Sequence, residues 1–153
     1  MIIHEDLKDF LKIGHFKNIQ YGLTRNELIG LLGETDWKFL SSDDDINPSI
    51  YKYGKIEFYF EENSDNKLSG IMFQPIPSPA ESGNLKCNYI EWTNETDLEK
   101  VTEFLKANGI KFHEKSHPDK EAKVLLTEGE VEILFDCQET PGQFFLHKLG
   151  KFA

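Results

Sequence analysis

Hydrophobic positions along this chain follow two periods. In "HEDLKDFLKIG" (4–14), Leu7, Phe10 and Leu11 share one helical face, and Gly14 is placed to stop the helix. "LTRNELIGLLG" (23–33) repeats the helical spacing with Leu28, Leu31 and Leu32 inward. Thr24 and Glu27 form a capping-box pair there, and Gly33 is expected to supply a left-handed stop. The period then drops to two. "SIYKYG" (49–54) and "GKIEFYF" (54–60) read as strands, with Ile56, Phe58 and Phe60 on one side and Glu57, Tyr59 and Glu61 on the other. Residues 62–67 read as a polar turn and "LSGIMFQ" (68–74) as the returning strand of a hairpin.

"PIPSPAESG" (75–83) interrupts this pattern. Its prolines cannot supply ladder amides, so it is expected to be an extended connection. "LKCNYIEW" (85–92) reads as a strand leading into a second helix-then-strands series. In "TDLEKVTEFLKANG" (96–109) Leu98, Val101 and Leu105 share a face, and Thr96 with Glu99 suggests a second capping box. "IKFHEK" (110–115), "KVLLTEGEVEILF" (123–135) and "QFFLHKL" (143–149) then read as strands.

The two series resemble each other. Gly54 and Gly129 are 75 residues apart, and the same offset joins Ile56 to Val131, Glu57 to Glu132, Phe58 to Ile133 and Phe60 to Phe135. Duplication of a helix-plus-hairpin unit accounts for this, and so does ordinary α+β grammar. The expectation is an α+β fold: one domain over 1–153, made of two pseudo-repeat halves, 15–74 and 85–152, joined by the Pro-rich segment 75–83. Helices are expected on one face of antiparallel sheet. The copies differ mainly on the outward side of the strand, where Tyr59 aligns with Leu134.

Composition narrows the function classes. The chain carries 27 acidic and 17 basic side chains, a net charge of −10, and its one arginine is Arg25. Nucleic-acid binding needs clustered Lys and Arg, so none is expected. No apolar run approaches a membrane span and no signal segment is evident, so a cytoplasmic protein without a membrane partner is expected. Two cysteines, Cys87 and Cys137, do not make a disulfide framework.

Motifs for chemistry are sparse. "HEKSH" (113–117) matches H-E-x-x-H, which binds zinc only on a helix, and the surrounding sequence reads as strand and turn. "SSDDDINPS" (41–49) has calcium-loop spacing at Asp43, Asp45 and Asn47. Pro48 and Gly54, however, stand where such a loop needs glycine and a bidentate glutamate. Neither a nucleophile elbow nor a phosphate-binding loop is found, so no catalytic residue, metal or cofactor is assigned and a non-enzymatic role is expected. The acidic surface suits a basic partner.

The stretches "YGLTRNELIGLLGETDW", "PSIYKYGKIEFYF" and "NKLSGIMF" resemble a pattern in small bacterial proteins, a Y-G-x-T-x-x-E helix ending in L-L-G before a Gly-led strand. Trp92 and the helix and strand of the second half extend it. The pattern is similar to that of immunity proteins of bacterial polymorphic toxin systems, including contact-dependent growth inhibition. The resemblance implies a protein that binds and neutralises a cognate toxin domain by occluding its active site. An acidic inhibitor of this kind suits a basic nuclease. Candidate contacts are Asp43, Asp44, Asp45, Glu57, Tyr59 and Glu61, with Glu130 and Glu132 as the alternative face. Two other classes stay open: a small hydrolase or metal enzyme using "HEKSH", and a generic interaction adaptor.

Overall fold

In the computed structural model, which describes residues 1–40, 47–60, 66–137 and 140–153, the alternating segments assemble around one α+β core. The elements are β1 (Ile3–Asp6), α1 (Leu7–Ile13), α2 (Arg25–Leu32), β2 (Lys38–Phe39), β3 (Ile50–Tyr53), β4 (Ile56–Phe60) and β5 (Leu68–Phe73). They continue with β6 (Leu85–Asn88), α3 (Leu98–Ala107), β7 (Phe112–Lys115), β8 (Ala122–Thr127), β9 (Glu132–Asp136) and β10 (Phe145–Phe152). Eight strands form an antiparallel sheet in the order β2-β3-β4-β5-β10-β9-β8-β7, and β1 and β6 form a small parallel pair. Each half thus runs helix then four strands, and the two last strands, β5 and β10, meet at the centre of the sheet.

The strand registers of the two series also resemble each other. Phe58 stands between Tyr51 and Ile71, and its counterpart Ile133 stands between Leu125 and Leu149; all six are buried. Both halves also break register at the same place. One extra residue, Ser69 on β5 and His147 on β10, sits just beyond the Phe60–Leu68 and Phe135–Leu146 pairs. A bulge re-aims the strand locally, so a bulge at matched places is a likeness that hydrophobic periodicity alone does not demand.

Local chemistry sets the helix ends. Thr24 Oγ1 accepts the Glu27 N–H while Glu27 reaches back to the Thr24 N–H, completing the capping box on α2. Gly14 ends α1 in the left-handed helical conformation (φ 82°, ψ 9°), whereas Gly33, expected to do the same for α2, has φ 89° with an extended ψ of 175°. Three expectations are corrected here. The first three residues of the "HEDLKDFLKIG" segment do not join its helix, because Asp6 caps α1 and His4–Asp6 belong to β1 beside β6. On α3 the cap is Asp97, which accepts the Lys100 N–H, because the Thr96 hydroxyl is engaged by the Thr93 N–H. The segment 123–135 is likewise two strands, β8 and β9, with a turn between.

All three helices cover one sheet face. The core joins Leu7, Phe10 and Leu11 of α1, Leu28 and Leu32 of α2, and Val101 and Leu105 of α3 to the inward strand residues, including Tyr53, Phe58, Phe73, Ile133 and Phe135. None of the outward residues Tyr59, Met72, Val124, Leu126, Leu134 or Phe152 belongs to it. Polar contacts fix the helices to that face. Tyr53 donates its hydroxyl to the Gly33 carbonyl at 2.6 Å, and Thr127 donates to the Leu11 carbonyl at 2.6 Å.

Arg25, the one arginine, braces one end of the sheet. Its Nε donates to the Pro48 carbonyl at 2.8 Å, its Nη1 to the Asn66 carbonyl at 3.5 Å, and its guanidinium lies 5.2 Å from the Phe60 ring centroid. The planar fork of arginine can make these contacts together, which a lysine ammonium cannot.

Glu5 is the buried carboxylate of the N-terminal layer. It is 6% exposed and accepts the backbone N–H groups of Lys17 (2.9 Å) and Asn18 (2.8 Å). Burial raises its pKa above the ordinary 4.5, outweighing the lowering effect of those amides. The folded state therefore binds this proton more tightly than the unfolded chain. The sign follows from linkage: Glu5 contributes most below 4.5, and that part of the stability falls as pH rises from 4.5 through the folded pKa. In urea titrations across that window, Glu5→Gln is expected to remove this downward component. A pH slope identical in the two proteins would show that Glu5 is not its source.

Candidate functional site

The helix-free face of the sheet carries the exposed chemistry. Because directly opposed residues in an antiparallel pair share a face, the registers place Phe39, Ile50, Tyr59, Gly70 and Phe152 in one line across five strands. Phe39 and Phe152 are 41% and 47% exposed, unusual for phenylalanine in a folded domain. Gly70 has no side chain of its own; the Phe152 ring lies over it, so tightly that a Cβ there would collide with the ring. Phe152 also meets Tyr59 edge-on at 5.1 Å. Beside this line a shallow cleft opens between Met72, Val124, Leu134, Lys148, Gly150 and Phe152.

Tyr59 is held in place. Its hydroxyl donates to Glu57 Oε2 at 3.5 Å. Burial pushes its pKa up to about 12, with the Glu57 carboxylate adding to the shift. It is therefore a neutral hydrogen-bond donor at any physiological pH, with an apolar body and a polar tip.

The predicted contacts divide into three groups. Glu57, Tyr59 and Glu132 do point outward on the open face, Glu57 and Glu132 at matching positions of the two halves. Glu130 does not: it occupies the turn between β8 and β9 with φ 61°, and its carboxylate lies 3.7 Å from Lys151 Nζ. Asp43, Asp44, Asp45 and Glu61 lie outside the described residues.

The open face is less acidic than the sequence suggested. Glu132 pairs with Lys115, and Lys52 and Lys148 stand on the same face opposite Glu57 and Leu134. By sequence, residues 41–46, 61–65 and 138–139 hold seven carboxylates and no lysine or arginine. That leaves 20 acidic against 17 basic side chains in the rest of the chain. The acidity is concentrated in the connections, and two of these follow directly on the ends of β2 and β4.

The catalytic candidates do not assemble. His113 lies on strand β7, where Glu114 points to the opposite face. His117 follows in a loop, its Nδ1 accepting the Asp119 N–H at 3.0 Å. The helical geometry that H-E-x-x-H needs is not formed, and among the described residues no group of His, Cys, Asp and Glu is placed to hold a metal. The Cys87 thiol is pushed up to about 12 by burial, with Asp6 and Glu5 adding to it, which keeps it protonated. Among the described residues no helix is long and apolar enough to cross a membrane.

Sequence reading missed Phe39, Ile50 and Phe152 as surface residues. Alternation marked Tyr59, but only cross-strand register could put three residues from β2, β3 and β10 in line with it. No family model, curated protein or solved structure matches the chain.

Proposed function

We propose that this chain is an immunity-type inhibitor that binds a cognate bacterial toxin domain, a basic nuclease, and occludes its active site. One observation carries the reading: an eight-stranded sheet whose helices all lie on one side, with an aromatic-rich apolar line on the other. Exposed aromatic residues with a polar surround are what protein interfaces use at their centres. The net charge of −10 supports a basic partner, because complementary potential speeds encounter and disfavours wrong partners. Asp43, Asp44, Asp45, Glu57 and Glu61 are the proposed charged contacts, Tyr59 the anchor, and Glu130 and Glu132 the secondary set.

The test begins at the genomic neighbourhood, where a secreted protein with a toxin-like C-terminal domain is expected to be encoded beside this gene, and uses that domain as the probe. Co-expression with the chain is expected to relieve that domain's toxicity, and calorimetry to give a tight complex that weakens as salt is raised. Reversing Asp43, Asp44, Asp45, Glu57 and Glu61 to lysine is expected to weaken it by at least about tenfold. No binding would sink the inhibitor reading. Tight binding indifferent to both salt and charge reversal would sink the acidic contact.

A further inference from the structure

The two central strands of the open face each place a glycine outward. Gly70 on β5 is roofed by the Phe152 ring. Gly150 on β10 instead lines the cleft beside it. Gly150 opposes Met72 on one side and Glu132 on the other, and its outward neighbours along β10 are Lys148 and Phe152. A missing side chain is thus ringed by four long ones, and it forms the floor of a cleft of about 150 Å³. The main chain requires that floor. A Cβ at Gly150 would come within 2.7 Å of the Ile71 carbonyl oxygen and 3.1 Å of Met72 Cα. Leu134 and Val124 continue the apolar wall over β9 and β8. Val124 is only 5% exposed although it stands on the helix-free side. His117, from the connection between β7 and β8, lines the cleft from outside the sheet.

Charge around the cleft is uneven. Glu132 is ion-paired to Lys115. Glu57, beyond Met72, has Lys52 opposite it in register. No hydrogen bond or ion pair holds the Lys148 ammonium among the described residues. One uncompensated positive charge therefore borders an apolar hollow. His117 adds a donor, because its Nδ1 accepts the Asp119 N–H at 3.0 Å and the neutral ring then carries its proton on Nε2. We propose that the cleft binds a small monocarboxylate with an apolar body, the body seated over Gly150 and the carboxylate on Lys148. This goes beyond the inhibitor reading and does not rest on it. A cavity of about 150 Å³ admits benzene, so the body is a single ring or a chain of similar bulk. Inorganic phosphate would leave the apolar walls unused and lose its own hydration. An apolar ammonium ligand would meet the like charge of Lys148.

Benzoate is the probe, titrated into the full chain and followed by NMR at the methyl groups of Met72, Val124 and Leu134. Saturable shifts of those methyls at millimolar benzoate are expected. Benzamide, the same shape without the charge, should bind about tenfold more weakly or worse. Lys148→Met keeps the apolar stem and removes the cation, and should weaken benzoate by about tenfold or more. Lys52→Met, on the other half of the same face, should change it by less than about twofold. Far-UV circular dichroism and a urea midpoint verify that each variant is folded. The benzoate–benzamide comparison needs no variant and keeps the test decisive if Lys148→Met is unstable. Equal binding of the two compounds, or of benzoate to wild type and Lys148→Met, would overturn the carboxylate assignment. Absence of saturable shifts, or shifts confined to other residues, would overturn the site. A short peptide ending in phenylalanine that binds there over about tenfold tighter than benzoate would overturn the small-molecule assignment and give the cleft to a chain terminus. None of these readouts involves a toxin domain, so failure here leaves the inhibitor reading standing.

Discussion

Phe58→Ala is expected to lower the unfolding free energy by about 3–5 kcal/mol. Phe58 is fully buried, sits between Tyr51 and Ile71 in the ladder, and meets the Tyr53 ring edge-on at 6.0 Å. Alanine leaves a ring-sized cavity in the middle of a four-strand layer that cannot close over it, because the backbone on both sides is fixed by ladder hydrogen bonds. Phe135→Ala in the other half should cost a similar amount, since Phe135 is equally buried against Leu146. Both residues belong to one continuous core that also contains side chains of all three helices. Each variant is therefore expected to shift one shared urea transition, with slope unchanged and midpoint lowered by roughly 1–5 M for ordinary slopes. Two transitions, one of them untouched by Phe58→Ala, would show that the halves unfold separately.

The second large effect separates two glycines that the sequence aligns. Gly129→Ala is expected to cost about 3 kcal/mol, the upper end for forcing atoms into a closed contact. A Cβ there would meet Gly14 N at 2.5 Å and the Leu11 carbonyl oxygen at 2.9 Å, both backbone atoms at the end of α1. Relief would require α1 to lift off, which would also strain the hydrogen bond from Thr127 to Leu11. Gly54→Ala should cost only about 1–2 kcal/mol, the penalty of a left-handed conformation for a residue with a Cβ. Gly54 has φ 61°, and the nearest atoms its Cβ would crowd, Tyr89 Oη and Ser82 Oγ, belong to side chains and not to backbone. Thermal or urea unfolding of the two variants side by side checks the order. Equal losses would mean that α1 is not seated through Gly129.

That comparison corrects what the repeated strand motif implied. Both glycines precede matched strands, yet only Gly54 takes a positive φ; in the second half Glu130 takes it, at 61°, and Gly129 makes room for α1. A glycine in a sequence signals a missing Cβ without saying whether conformation or contact requires it.

What the sequence determined by itself was local. The capping pair Thr24–Glu27, the stop at Gly14, the inward set Ile56, Phe58 and Phe60, and the outward pair Glu57 and Tyr59 were all legible. Each depends on residues within one turn of helix or one strand. The α+β class and the helix-then-strands order of both halves followed from the same periodicities. Tertiary structure decided the rest. Alternation says that Tyr59 faces away from Phe58, but not that Ile50, Phe39 and Phe152 stand in line with it. That line needs β5 to pair with β10 across about 80 residues of chain. The parallel pairing of β1 with β6, the Asp97 cap on α3 and the seat of α1 against Gly129 were likewise set by distant partners. Side-chain period fixes which residues share a face of a strand. Only long-range register fixes which strands lie side by side, and the candidate binding line exists only once they do.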